Sequence, residues 1–203
     1  MYNKAIKDFT NELSSKAPVP GGGGASALMG AIASSLCSMV ANLTTGKKKY
    51  AEYQPDIDRI LAGVECLTSD ILELINKDAE AFEPLSQAYS IPKEQEDRDE
   101  LLEKALRVAS EAPFEIVQKM SEVTKLIEEL AIKGSKLAIS DVGVAACACS
   151  AAVKGASMNV YINTKLMKDR EYAKQMNVKT EAVVNDVCTR CDAAYQKVLS
   201  GLV

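Results

Sequence analysis

Apolar residues recur along most of this chain at the spacing of one helix face. Ile57, Ile60, Leu61, Val64, Leu67, Ile71, Leu74, Ile75 and Phe82 follow the i, i+3, i+4, i+7 rule. Ile116, Val117, Met120, Val123, Ile127 and Leu130 repeat it, and Gly134 ends that run as a C-terminal cap would. Ser140 and Asp141 read as the N-cap of a long helix reaching about Leu166. A last helix covers roughly Asp169 to Ser200. Breaks are predicted at Pro18 to Gly24, Gly46 to Pro55, Ile91 to Asp97 and Pro113. No strand or hairpin signal appears, linkers are short, and no shift in composition divides the 203 residues. The expectation is all-α: a single-domain helical bundle of long amphipathic helices covering residues 1–203.

Two helices carry unusually small residues. In the first, Met29, Ile32, Leu36, Met39, Val40 and Leu43 form the expected core stripe, with Ala27, Gly30, Ala31, Ser34 and Ala41 on the other side. In the second, Ala145, Ala148, Ala152, Gly155 and Ala156 form a bare strip. Glycine inside a helix costs up to about 1 kcal/mol against alanine, so close backbone packing is the reason to look for. Two helices crossing tightly at the centre is the plain reading, and a helix meeting its copy in a dimer is the alternative. The stretch from Ala17 to Gly46 has no charge, but its helical part is short for a membrane span and built on alanine, serine and glycine. Met1 to Glu12 has no apolar signal region. A cytoplasmic protein without a membrane span is expected.

Composition narrows the chemistry. Lysine and arginine number 24 against 28 acidic residues, a net charge of −4 that argues against a general nucleic-acid binder. There is no histidine and no tryptophan. Nucleophile–histidine pairs and histidine-ligated metals are therefore excluded, and acid–base work falls to Asp, Glu, Lys, Tyr or Cys. The six cysteines include Cys147 and Cys149, and Cys188 and Cys191. Residues two apart on a helix point in nearly opposite directions, so the first pair is badly placed to share an ion. The second pair lies on the apolar stripe of Val184, Val187, Tyr195 and Val198. Buried thiols and no metal are expected.

Asp78 is the most informative residue. Stepping Ile57, Val64, Ile71 by sevens lands on it, with Leu85 next, so a carboxylate occupies a position the pattern gives to the core. Such a group is paired, protonated or at work, because burying it uncompensated costs several kcal/mol. Pro18-Val19-Pro20-Gly21-Gly22-Gly23-Gly24 leads into a helix, and glycines with a helix N-terminus can gather N–H groups around an anion or carbonyl. This is no Walker A loop, since the only Gly-Lys, Gly46-Lys47, has no glycine at position 41. Lys47, Lys48 and Lys49 close the same helix, a common solvated terminus that could also hold a carboxylate. Asn159 and Asn163 lie one turn apart, and asparagine is a poor helix former, so polar work is expected there.

Together these segments resemble the cyclodeaminase domain of formiminotransferase-cyclodeaminase and its stand-alone bacterial relatives. The resemblance is carried by Pro18 to Ala27, Gly46-Lys47-Lys48-Lys49-Tyr50, Asp78-Ala79-Glu80-Ala81-Phe82, Ser140 to Ala146 and Asn159-Val160-Tyr161-Ile162-Asn163, in order along nearly the whole chain. Gly24 departs from a family that often has serine there. The resemblance implies an all-α fold and a one-carbon derivative of tetrahydrofolate as substrate, with or without a polyglutamate tail, and no further cofactor. It implies either hydrolysis of methenyltetrahydrofolate to formyltetrahydrofolate or cyclodeamination of formiminotetrahydrofolate, with a homodimer whose site lies near the interface. The missing transferase domain favours the cyclohydrolase. Asp78 matches the catalytic aspartate, and Asp141 is expected to orient the pterin or the attacking water. Gly21, Gly22, Gly23, Gly24 and Ser26, with Lys47 and Lys48, are expected to receive the carboxylates of the glutamate tail, and Asn159 and Asn163 the pterin edge. A non-catalytic folate-binding subunit is the competing expectation.

Overall fold

The two longest apolar stripes become the inner faces of two 36-residue helices. The computed structural model describes all 203 residues, Met1–Val203. Its helices are α1 (Ile6–Leu13), α2 (Gly22–Asn42), α3 (Gln54–Tyr89), α4 (Arg98–Lys133), α5 (Ile139–Leu166) and α6 (Arg170–Leu199). Short 3-10 turns at Lys48–Tyr53 and Lys136–Ala138 lead into α3 and α5. There is no strand. On α3, Ile57, Ile60, Val64, Ile71, Leu74 and Ile75 are almost fully buried, as are Ile116, Met120, Ile127 and Leu130 on α4. Each such side chain contributes roughly 1.5–3 kcal/mol when removed from water.

The helices stack in two layers. α4 lies between α3 and α6 in one layer, and α2 and α5 lie side by side across it, α2 over α3 and α4 and α5 over α4 and α6. The bare strips explain how α2 and α5 come so close. A Cβ on Gly155 would fall 2.5 Å from Ser26 Oγ, and one on Gly30 would meet Met120 Cε at the same distance. The two small-residue helices thus cross each other within one chain.

Four expectations need correcting. Half of the stripe expected on α2 faces outward: Ile32, Met39 and Leu43 are exposed and Ala27, Ala31, Ser34 and Ala41 are buried, while Val40 is in the core and Met29 and Leu36 are half-buried against it. Core space between α2 and its neighbours is too shallow for large side chains, so the bare side goes inward. Pro113 does not break α4, which runs through it. Ser140 and Asp141 lie inside the first turn of α5, whose N-cap is Ala138. Gly22, Gly23 and Gly24 are the first turn of α2 rather than a loop before it, with Gly21 as N-cap in an extended conformation. Gly134 does end α4, but in an extended rather than left-handed conformation. Cys149 and Cys191 are buried and Cys147 is exposed.

α2 and the segment Lys136–Leu166 are long and apolar enough to cross a membrane by length and composition; 56% and 44% of an apolar 18-residue stretch in each are buried inside the bundle. One glycine inside a helix has no packing reason. Gly63 is exposed in the middle of α3, and a Cβ there would meet nothing within 4 Å. Gly63→Ala is expected to stabilise the fold by about 0.5–1 kcal/mol through backbone entropy, read as a raised urea midpoint. An unchanged or lowered midpoint would count against helical geometry at that position.

Candidate active site

A cleft opens where the start of α2 meets α3, α4 and α5. It is lined by Pro18, Val19 and Gly21 to Gly23 before and within α2, Asp78 and Phe82 from α3, Ala109 and Pro113 from α4, and Asn159, Ile162 and Asn163 from α5. Asp78 is the only ionisable side chain among them.

The glycines are there for room. A Cβ on Gly23 would fall 2.1 Å from Asp78 Oδ1 and 2.5 Å from Oδ2. The carboxyl group therefore lies against the bare backbone of the first turn of α2. A Cβ on Gly22 would meet the Asn159 amide at 3.2 Å. Two influences compete at Asp78. Burial raises its pKa, and the Gly24 N–H, aided by the positive end of α2, lowers it; burial is the larger and the net shift is upward. The group is thus held nearer to protonation than an ordinary surface aspartate, which suits proton exchange.

Pro113 shapes the opposite wall. Its missing N–H leaves the Ala109 carbonyl without its partner in the helix. Asn163 Nδ2 donates to that carbonyl at 2.9 Å from α5. Because a carbonyl only accepts, this bond orients the amide, and Asn163 Oδ1 is left as an acceptor at the cleft. Asn159 Nδ2 donates to Gly155 O at 2.9 Å along its own helix. The proline read as a break is therefore a wall of the site, and the second asparagine satisfies the carbonyl it frees.

The remaining candidates lie elsewhere. Ser26 is buried and donates to Gly22 O at 2.7 Å, packing at the α2–α5 crossing. Lys47 and Lys48 follow the far end of α2, some 20 residues and roughly 30 Å from Gly22 at 1.5 Å per residue. There Lys47 Nζ donates to Ser135 Oγ at 3.2 Å, the Ser135 N–H to Thr44 Oγ1 and the Lys136 N–H to Tyr50 Oη, each at 2.8 Å. Asp141 sits at that same end, roughly 27 Å along α5 from Asn159. Within one chain the cleft therefore gathers Asp78, the glycines and both asparagines, and leaves the lysines and Asp141 at the opposite pole. Sequence reasoning did not place Ala109, Pro113 or Ile162 at the site. The usable signal was a proline inside a strong helical period, which frees a carbonyl that some side chain must satisfy.

The family model for formiminotransferase-cyclodeaminase matches residues 5–182. The chain belongs to that family. It is 37% identical to a methenyltetrahydrofolate cyclohydrolase of Methylorubrum extorquens, over 98% of this chain and 97% of that one. It is 27% identical to the formimidoyltransferase-cyclodeaminase of Mus musculus over 94% of this chain, which spans only 36% of the mouse protein. Its fold superposes on a crystal structure of formiminotetrahydrofolate cyclodeaminase from Thermotoga maritima with a TM-score of 0.84 and 30% identity, covering 97% and 98% of the two chains. The five motifs and the all-α architecture thus lead to the same family.

Proposed function

We propose that this member of the formiminotransferase-cyclodeaminase family hydrolyses methenyltetrahydrofolate to formyltetrahydrofolate, working as a homodimer in the cytoplasm and needing nothing beyond the folate and water. The observation that carries the proposal is a single raised-pKa carboxyl group as the only ionisable side chain of the cleft. Similarity over nearly the full length of a relative named as a cyclohydrolase supports the choice of reaction.

The substrate carbon lies between two nitrogens and already carries positive charge. As water attacks it, Asp78 takes a proton from the water, and its negative charge steadies the cation beforehand. The hydroxylated intermediate then opens: the bond from carbon to the ring nitrogen breaks, that nitrogen gains a proton, the hydroxyl loses one, and the formyl group remains on the other nitrogen. One water is consumed and one proton is released overall. Asn163 Oδ1 and Asn159 supply an acceptor and an amide for the pterin edge, and the Phe82 ring supplies an apolar wall. Asp141 is too far along α5 to touch this cleft in its own chain, so catalysis rests on Asp78.

The name of the Thermotoga relative supports a second reaction, ring closure of formiminotetrahydrofolate with loss of ammonia. Both are followed by absorbance of the methenyl group. Loss of the chromophore from methenyltetrahydrofolate well above the uncatalysed rate is expected. Its appearance from formiminotetrahydrofolate, with ammonia released, would assign the second reaction instead. No acceleration of either would overturn both and leave a folate-binding protein.

A further inference from the structure

The contacts between α5 and α6 set two thiols face to face. A Cβ on Gly143 would meet Val198 at 3.4 Å, and toward the other end of the pair Thr164 Oγ1 donates to Asn177 Oδ1 at 2.7 Å. The helices are therefore antiparallel, each step forward on α5 matched by a step back on α6. Cys149 follows Gly143 on α5 as Cys191 precedes Val198 on α6, so the two cysteines stand opposite each other. Both are buried. Thr124 reaches them from α4, its Oγ1 lying 3.5 Å from Cys149 Sγ and 3.6 Å from Cys191 Sγ.

A third sulfur leads outward from this pair. Cys188 lies one helical turn before Cys191 and is half-buried. Between the two sits Ser150 of α5, whose buried Oγ has no hydrogen-bond partner. Such orphans are rare in a folded interior, and the groups this hydroxyl faces are the sulfurs of Cys188 and Cys191. Hydrogen bonds from the Cys149 thiol, Thr124 and Ser150 hold Cys191 below the ordinary thiol value against the effect of burial. Cys149 is pushed the other way, by its bond to Cys191 and by burial. Of the pair, Cys191 is the nucleophile and Cys149 keeps its proton. Cys37, also beside Cys191, is pushed up to about 12 by burial and stays a thiol.

We propose that these cysteines form a thiol relay, in which a hydroperoxide oxidises Cys188 at the surface and the oxidation ends as a Cys149–Cys191 disulfide tying α5 to α6. The peroxide transfers one oxygen atom to the Cys188 sulfur and leaves as water. The Cys191 sulfur attacks the sulfenic acid, an S–S bond forms, and the departing hydroxide takes up the Cys191 proton as a second water. Residues three apart on a helix hold their Cβ atoms about 5–6 Å apart, more than the roughly 3.5–4.5 Å of a relaxed bridge. The first disulfide is thus stretched and passes on: Cys149 attacks the Cys191 sulfur, and Cys188 leaves with the Cys149 proton. Two thiols are oxidised and one peroxide is reduced to two waters. None of the three sulfurs lines the Asp78 cleft, so the relay is separate from the folate site.

The test uses a chain in which the exposed Cys66 and Cys147 are replaced, Cys66→Ser and Cys147→Ser. It is treated with hydrogen peroxide, its remaining thiols are blocked with maleimide, and the digest is mapped by mass spectrometry. A Cys149–Cys191 bridge is expected, with a mass loss of about 2 Da, reversed by dithiothreitol, and with Cys188 recovered as the blocked thiol. The oxidised protein is expected to show a raised urea midpoint, since the bridge closes a long loop of the unfolded chain in native geometry. Adding Cys188→Ser is expected to slow bridge formation by more than about tenfold, because the pair loses its exposed entrance. Cys188 oxidised to sulfinic acid with Cys149 and Cys191 still free would overturn the relay, as would a Cys37–Cys191 bridge. Unchanged kinetics in Cys188→Ser would also overturn it. A bridge that lowers the urea midpoint would show that α5 and α6 had separated to form it, and would overturn the arrangement.

Discussion

Replacing Asp78 with asparagine lowers turnover by roughly 10²- to 10⁴-fold, the range of a lost general base, equivalent to about 2.7–5.4 kcal/mol of transition-state stabilisation. Asparagine keeps the shape that fits against Gly23 but takes no proton from water. Substrate binding is expected to survive, because the asparagines and the cleft walls are unchanged. Steady-state rates with a parallel binding titration separate the two. Turnover within a few-fold of wild type would remove Asp78 from the mechanism.

The same substitution has the opposite effect on stability. Burial raises the Asp78 pKa above its ordinary value of 3.8, so the folded protein disfavours the charged form. Below pH 3.8 the carboxyl group is protonated folded and unfolded, and its contribution is fully present. As the pH rises through the raised folded value the unfolded chain ionises more readily, and that stability is lost. The difference in urea midpoint between Asp78→Asn and wild type therefore grows in favour of asparagine from acid to neutral pH. A wild type that gains on the variant as pH rises would show that the α2 N-terminus outweighs burial. Activity runs the other way: the base form accumulates through the same raised pKa, so the wild-type rate rises with pH there.

Periodicity read α3 and α4 correctly because both are one-sided: the face that packs is the face with large apolar residues. It misplaced Ile32, Met39 and Leu43 on α2, where both faces are apolar and only the depth of the neighbouring groove decides which turns inward. Gly30 lies where Met120 approaches, and no local pattern reveals a methionine from a helix 90 residues away. Asp78 was legible because one carboxylate breaks a seven-residue step among Ile57, Val64, Ile71 and Leu85. The glycines before α2 were legible as unusual but not for their reason. They were expected to free the backbone, whereas Gly21 is extended and the next three are helical, and what they supply is the absence of a Cβ. Pro113 shows the same limit: its effect depends on Asn163, 50 positions later, accepting the task of satisfying Ala109. The separation of Lys47, Lys48 and Asp141 from the cleft follows from helix length, which sequence does show, and from the antiparallel packing of α2 on α5, which it does not.

That view of the glycines gives the second large effect. Gly23→Ala is compatible with the helix, since no glycine in this turn has a positive φ, and propensity alone favours alanine by up to about 1 kcal/mol. Its Cβ, however, would lie 2.1 Å, 2.4 Å and 2.5 Å from Oδ1, Cγ and Oδ2 of Asp78. All three are too close for real atoms, so the carboxyl group has to move. A displacement of about 1 Å at a reacting group costs on the order of 10²-fold. Gly23→Ala is therefore expected to fold with native helicity by circular dichroism yet lose roughly 10²-fold in turnover, without touching any ionisable atom. Because it acts through Asp78, combining it with Asp78→Asn should cost little more than Asp78→Asn alone, whereas independent effects would multiply. Wild-type turnover in the single variant, or full multiplication in the double, would mean that the position of the carboxyl group against α2 is not what the reaction depends on.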